Sequence, residues 1–323
     1  MMKAIRLHQH GGPEVLSYED VEIPAPQAGE VLVRHAAIGV NYIDTYHRAG
    51  AYPVPLPSGL GCEAAGTVEA VGAAVTGLEP GDRVAYAVPM PGSYALMRAL
   101  PADRLVKIPD GIAFDTAASM MLKGLTAQFL FHRTYAVQAG DTVLLHAAAG
   151  GVGLIACQWL NALGVTVIGT VGSDEKAALA RAHGCHHTIV YTRENFVDRV
   201  KEITGGEGVP VVYDSVGKDT FDGSIQCLRQ RGMMVLFGAS SGPVAQVSVA
   251  SLQKGSHFFT RPGLFHYIAS RDDLEAGARA LFDMVGKGKI RIDVSGRYAL
   301  ADAAQSHCDL AARKTTGSLL LLP

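Results

Sequence analysis

No apolar run in this chain approaches the roughly 20 residues needed to cross a bilayer as a helix. The opening MMKAIRLHQHGG passes straight into charged and polar residues, without the apolar core of a secretion signal. A cytoplasmic protein without a membrane partner is expected. Net charge is also scarce: 28 Lys+Arg against 30 Asp+Glu leave −2, and the basic residues are scattered. That pattern lacks the footprint of a phosphate-backbone partner, so no nucleic acid is expected. Five cysteines (Cys62, Cys157, Cys185, Cys227, Cys308) are odd in number, widely spaced and free of any CxxC. They exclude a disulfide framework and a cysteine-rich zinc site, and read as reduced thiols. Internal repeats beyond β-α alternation and low-complexity tracts are absent as well.

What is present begins with size. At 323 residues and 48% hydrophobic, the chain suffices for two domains, because single cores usually stop growing near about 250 to 300 residues. As far as about Leu122 the apolar runs are short and strand-like: EVLVRHAAIGV, GTVEAVG, DRVAYAV and RLVKIP. They are set between turns such as EIPAPQAGE and AYPVPLPSGLG, which predicts a mostly β, barrel-like domain. From Val143 the rhythm becomes apolar run, helical run, apolar run: TVLLHA, GLIACQWLNAL, VTVIGTV, EKAALARAHG, HTIVY, NFVDRVKEITGG, VPVVYDSVG, TFDGSIQCLRQRG, MMVLFG. This alternation implies right-handed crossovers and a parallel sheet covered on both faces. Gly164, Gly184, Gly205 and Gly232 each follow a helical run, where a left-handed residue is wanted. Beyond Phe237 come GASSGPVAQVSVAS, a strand candidate HFFTRP, a helix from about Asp272 to Gly286, and a strand-rich tail ending GSLLLLP. The tail reads as the first domain returning after an insertion.

The glycine-rich corner HAAAGGVG, His146 to Gly153, lies between the first of these strands and the helix after it. Such a corner can be a structural tight turn. It is also the place where glycines let backbone N–H groups approach a pyrophosphate at a helix N-terminus. The register here is Ala148, Gly150, Gly153, with Gly151 also present, and the second strand VTVIGTV that follows favours dinucleotide binding. About 20 residues on, the tip of that strand reads Val171-Gly172-Ser173-Asp174-Glu175-Lys176. Gly172 and Ser173 at the tip and Lys176 one turn later favour NADPH, with Ser173 and Lys176 on the 2′-phosphate and Tyr191 beside the adenine ribose. The plainer readings are Ser173 as an N-cap, Lys176 as a solvated helix charge and Tyr191 as a half-buried strand residue. Asp174 as a ribose ligand for NAD is the rival.

NYIDTYHRAGAYP (Asn41 to Pro53), GCEAAGTVEAVG (Gly61 to Gly72), GDRVAYA (Gly81 to Ala87), HAAAGGVGLIACQW (His146 to Trp159), VVYDSVG (Val211 to Gly217) and the closing KTTGSLLLLP occur in this order along the whole chain. Together they resemble the zinc-free, zeta-crystallin-like NADPH:quinone oxidoreductases of the medium-chain dehydrogenase/reductase superfamily. The resemblance implies an α/β fold in which a doubly wound Rossmann domain (124–267) is inserted into a GroES-like catalytic domain (1–123 and 268–323). It implies an active site in the cleft between these domains. It also implies a homodimer formed through the cofactor domains, the strand near His257 to Arg261 extending one sheet into its twin. Carried over by residue, Asn41, Tyr42 and Tyr46 would meet the nicotinamide end, and Gly150, Gly151 and Val152 the pyrophosphate. Gly172, Ser173, Lys176 and Tyr191 would hold the adenosine phosphate end. Ser215, Gly238, Ala239, Ser240, Ser241 and Arg313 would line the remaining path.

Zinc alcohol dehydrogenases of the same superfamily carry a cysteine ligand in the segment corresponding to IGVNYID and a His-Glu pair where this chain has Cys62-Glu63. Asn41 and Cys62 stand at those places, so the ligand set of a catalytic zinc is not expected. Cys62 departs from the threonine common in related quinone reductases, and reads either as a small buried turn residue or as part of a pocket. Without a Lewis acid the acceptor must tolerate hydride unaided. A quinone does, because the charge spreads over a ring that becomes aromatic. Tyr46 and Tyr52 are candidates for binding the flat ring or hydrogen-bonding its oxygen, with Asn41 as a neutral donor. His47 is a further candidate proton donor, and His146 reads as structural. Two other functions share these features: reduction of the activated C=C bond of an enone or alkenal, and non-catalytic NADPH binding as in crystallin-like or RNA-binding relatives.

Overall fold

Mostly antiparallel strands build one part of the molecule, and β-α alternation builds the other. The computed structural model describes residues 1–323. One unit comprises Met1–Leu125, Ile268–Gly286 and Ile292–Pro323; the second comprises Thr126–Tyr267 with Lys287–Arg291. In chain order the elements are β1 (Met2–Leu7), β2 (Leu16–Val21), β3 (Glu30–Val40), α1 (Tyr42–Ala49), β4 (Glu63–Val71), β5 (Arg83–Ala87), β6 (Met97–Pro101), β7 (Val106–Lys107) and α2 (Phe114–Phe129). The second unit carries β8 (Thr142–Leu145), α3 (Gly151–Ala162), β9 (Thr166–Val171), α4 (Asp174–Ala182), β10 (His187–Val190), α5 (Phe196–Ile203), β11 (Val209–Asp214), α6 (Phe221–Gln226), β12 (Leu228–Leu236), α7 (Val249–Gln253), β13 (Phe258–Thr260) and α8 (Leu264–Tyr267). Then come α9 (Arg271–Gly286), β14 (Val294–Ala299), α10 (Ala303–Ala311) and β15 (Ser318–Leu322).

In the first unit the sheet order is β14-β15-β3-β4-β5-β7, with β6 pairing β3 off that path. The C-terminal strand β15 lies antiparallel to β3, with Leu319 opposite Val40 and Leu321 opposite Ile38. The tail therefore completes the sheet begun near the N-terminus, burying Ile38, Val40, Leu319 and Leu321 in one core with Tyr86 and Leu105. β1, β2, β6 and the helix α10 inside the strand-rich tail are elements the sequence pattern did not single out.

The second unit is a parallel sheet in the order β10-β9-β8-β11-β12-β13, the doubly wound arrangement that reverses direction between β8 and β11. Every residue of β11 is buried, as expected for a strand covered on both faces. Gly164, Gly184 and Gly205 adopt positive φ (74°, 89° and 59°). Gly232 does not: α6 ends at Gln226, and Leu228 already opens β12, so Gly232 lies inside a strand. Arg231 takes the left-handed turn instead (φ 59°), its N–H bound to the Gly255 carbonyl. Residues 287–291 cluster with the second unit, whereas the sequence reading placed them in the first. No helix is long and apolar enough to cross a membrane.

Candidate active site

Because β8 to β12 run parallel, the residues after each strand gather at one edge of the sheet. Gly150, Gly151 and Val152 follow β8; Gly172, Ser173 and Lys176 follow β9; Tyr191 follows β10; Ser215 follows β11; Gly238, Ala239, Ser240 and Ser241 follow β12. All the residues nominated in this unit thus share the carboxyl edge where open α/β sheets take their ligands.

At the glycine corner Ala147 makes the bend with φ 55°. Gly150 precedes α3 in an extended conformation, with no side-chain cap. A Cβ on Gly153 would lie 2.3 Å from the Ala147 carbonyl oxygen, so only glycine allows this approach. The first N–H groups of α3 lack intrahelical acceptors and carry the positive end of the helix dipole. That donor set fits an anionic pyrophosphate.

Beyond the tip of β9 Ser173 does cap α4, its Oγ accepting the Lys176 N–H at 3.3 Å. Its side chain also hydrogen-bonds Glu175, holding that carboxyl below its ordinary pKa. Tyr191 is 44% exposed, and a Cβ on Gly172 would come within 3.0 Å of its hydroxyl. Asp174, the rival ribose ligand, is taken up by Arg193: both carboxylate oxygens lie 2.6 Å from the guanidinium. The Arg193 hydrogen bonds hold this carboxyl below its ordinary pKa. Further along the edge, the Ser215 carbonyl accepts the Ser240 N–H at 3.1 Å, and the Val216 carbonyl accepts the Ser241 N–H at 2.9 Å. Asp214 pins the loop through the Val216 and Gly217 N–H groups at 2.7 and 3.0 Å. His146, with Thr170 Oγ1 and Ser224 Oγ each 2.9 Å from its ring nitrogens, is held inside the unit.

In the first unit β3 delivers Asn41 to the start of α1. The Asn41 N–H donates to Asp44 Oδ2 at 2.8 Å, one limb of a capping box. The Asn41 amide donates to Glu63 Oε2 at 2.8 Å. Glu63 is fully buried, and it also accepts Lys123 Nζ at 3.2 Å and the Leu122 N–H at 2.8 Å. Gly39 makes room for it: a Cβ there would stand 2.3 Å from Glu63 Oε2. The carboxylate therefore fixes the amide of Asn41, compensated by a buried lysine.

Tyr46 and Tyr52 are brought together, their ring centroids 5.2 Å apart, and His47 packs beside Tyr52 at 6.0 Å. Tyr42 donates its hydroxyl to the Leu310 carbonyl at 3.0 Å, and the Arg313 N–H reaches the same carbonyl at 3.1 Å. Tyr42 and Arg313, far apart in sequence, thus meet at one peptide.

Behind α1 runs a buried chain of hydrogen bonds. Arg48 donates to His307 Nδ1 at 2.9 Å, which assigns the ring proton to Nε2. That nitrogen lies 3.0 Å from the Tyr94 hydroxyl, which donates to Asp44 Oδ2 at 2.9 Å. Burial lowers His307 to about 3 and raises Asp44 to about 7. Asp44 Oδ1 is buried without a hydrogen-bond partner, a state that costs on the order of 1–3 kcal/mol. Cys62, fully buried, places its Sγ 4.0 Å from His47 Nδ1, and desolvation pushes its thiol pKa well up.

Glu63, Lys123, Asp44 and Arg193 were not nominated from sequence. The Asn-x-x-Asp spacing of a capping box was a readable signal for Asp44. The other three have partners that only the fold supplies.

Residues 27–110 match the alcohol dehydrogenase GroES-like domain family, and residues 151–260 match the zinc-binding dehydrogenase family. A quinone oxidoreductase of Pseudomonas aeruginosa is 54% identical over 325 residues, covering 100% of both chains. A 2-haloacrylate reductase of Burkholderia sp is 46% identical over 333 residues, covering 100% of this chain and 99% of its own. The crystal structure of Escherichia coli quinone oxidoreductase complexed with NADPH superposes with a TM-score of 0.98 at 48% identity, covering 99% of this chain and 100% of that one.

Proposed function

Because the chain belongs to the quinone oxidoreductase family of the medium-chain dehydrogenase/reductase superfamily, we propose that it reduces quinones with NADPH by direct hydride transfer, without a catalytic metal. The observation that carries the reading is the full-length likeness to an NADPH-bound quinone oxidoreductase at a TM-score of 0.98. The chain's own geometry adds to it: an uncapped α3 at the switch point of the parallel sheet.

NADPH, when bound, supplies the hydride. The α3 N–H groups of Gly151 and Val152, behind Gly150, bind the pyrophosphate. Gly172, Ser173, Lys176 and Tyr191 receive the 2′-phosphate end, where Arg193 already neutralises the Asp174 carboxylate that would repel a phosphate. Ser215, Gly238, Ala239, Ser240, Ser241 and Arg313 line the remaining length. Asn41, oriented by Glu63, meets the nicotinamide end together with Tyr42 and Tyr46. Tyr46 and Tyr52, their rings tilted 58° to one another, supply the aromatic faces against which the quinone packs. A conjugated acceptor that becomes aromatic on reduction spreads the arriving charge, so orientation and exclusion of water are what the protein must provide.

The 46% identity to a 2-haloacrylate reductase favours a second reading, reduction of an activated C=C bond. Initial rates with NADPH on 1,4-naphthoquinone and on a small enone, measured side by side, separate the two. A higher kcat/KM on the quinone is expected, and a preference for the enone would overturn the quinone assignment. A homodimer formed through β13 is part of the proposal, since β13 is the edge strand of its sheet and Phe258 on it is 58% exposed. Sedimentation should give twice the chain mass, and a charged residue at Phe258 should shift it toward the monomer.

A further inference from the structure

Hydride transfer to a quinone leaves one buried cluster of the first unit without a task. A carboxylate oxygen of Asp44, a ring nitrogen of His47 and Cys62 Sγ all lie within 4.8 Å of one another, and all three side chains are buried. One hydrogen bond-length contact joins two of them, Cys62 Sγ to His47 Nδ1 at 4.0 Å. A second, independent feature belongs to the same carboxylate: Asp44 Oδ1 is buried with no hydrogen-bond partner, while Oδ2 is engaged by the Asn41 N–H and the Tyr94 hydroxyl. We propose that Asp44, His47 and Cys62 form a binding site for a single divalent cation of the zinc class.

The donor set argues for that class. Thiolate, imidazole and carboxylate are the ligands zinc takes in three-donor sites, leaving a fourth position for water. One thiolate and one carboxylate cancel the charge of a divalent ion, which a buried site requires. Around zinc the donor atoms would stand about 3.3–3.6 Å apart, so loading draws the present cluster inward by a small step. The outer partners that a metal site needs are in place. Tyr94 holds Oδ2 of Asp44 and is itself backed by His307 and Arg48. His47 keeps 6% exposure where Asp44 and Cys62 keep none, so the ion would arrive on its side. These donors differ from the arrangement of zinc alcohol dehydrogenases, since Asn41 is turned to Glu63. The site does not rest on the proposed reaction.

The test uses the full chain carrying Cys308→Ser, which removes the one exposed thiol. Titration with Co2+ should saturate at one equivalent, with a thiolate-to-cobalt charge-transfer band that zinc abolishes. The band should vanish in Cys62→Ser and weaken at least tenfold in His47→Leu. Should either variant fail to fold, zinc K-edge fine structure on the parent protein decides. One sulfur at about 2.3 Å with nitrogen and oxygen neighbours is expected. A shell of nitrogen and oxygen alone, or no stoichiometric binding, means that the cluster holds only water and overturns the inference. Quinone reduction assayed on stripped protein is a separate arm. Its loss would count against the metal-independent reaction proposed above, not against the site.

Discussion

The two units bury their polar groups in opposite ways. The second unit closes around strands such as β11, buried throughout, and anchors its loops through Asp214 with Thr220, Ser224 and backbone N–H groups. The first unit buries Asp44, Arg48, Glu63, Arg98 and Lys123 along with His35 and His307. One unit thus gathers backbone and small residues at the carboxyl edge of its sheet, whereas the other holds buried charged side chains in a network of ions and hydrogen bonds. A backbone edge tolerates change in side chains beyond the turn. A buried ionic network fails when one member is removed, because the partner charge is stranded.

The sharpest way to break that contrast is Glu63→Ala. It strands Lys123 and frees the Asn41 amide together, and should cost about 3–5 kcal/mol of stability, read by urea denaturation, along with most of the activity. A loss below 1 kcal/mol would show that water replaces the carboxylate and that the network is dispensable.

Acid comes next. His35 and His307 titrate near 4 and near 3 in the fold, against an ordinary 6.5, so the unfolded chain takes up both protons first as pH falls below 6.5. Asp44, raised to about 7, works the other way: in that range it is protonated in the fold and ionised in the unfolded chain. Two protons against one leave the unfolded chain ahead, and burial also lowers His47, His132, His146 and His257, so stability falls as pH drops below 6.5. Thermal melts over that window should fall steadily. A Tm that holds or rises would contradict the assigned burial.

Smaller effects are expected at the backbone edge. Lys176→Ala should weaken NADPH about tenfold, a loss of about 1.4 kcal/mol, and leave NADH nearly unchanged, as read by titration of cofactor fluorescence. Equal losses for both would move the 2′-phosphate elsewhere. Smallest is Arg193→Ala. It exposes the Asp174 carboxylate, and should lower the NADPH/NADH ratio of kcat/KM a few-fold, since the pair is solvent-exposed and screened.

The same contrast explains what could be read before the fold was known. The second unit was legible almost strand by strand, because its signals are local: apolar runs, helical runs and glycines at helix ends. Its one misplaced stop, Gly232, came from a helical pattern across Leu228 to Arg231 that pairing with β11 turned into a strand. In the first unit the residues around Asn41 were nominated, but the groups that hold them were not. Glu63 reaches Asn41 from 22 positions away, Tyr94 reaches His307 across 213, and Arg48 reaches His307 across 259. No periodicity encodes such pairs. Cys62 stood open between turn filler and pocket residue, and its neighbours His47 and Asp44 give it a setting that spacing alone could not.

The most direct test of the central claim is the rate of 1,4-naphthoquinone reduction by NADPH in protein freed of divalent ions with a strong chelator. Undiminished turnover is expected, because the proposed acceptor, a quinone, needs no Lewis acid. Activity lost on stripping and restored by stoichiometric zinc would contradict the account.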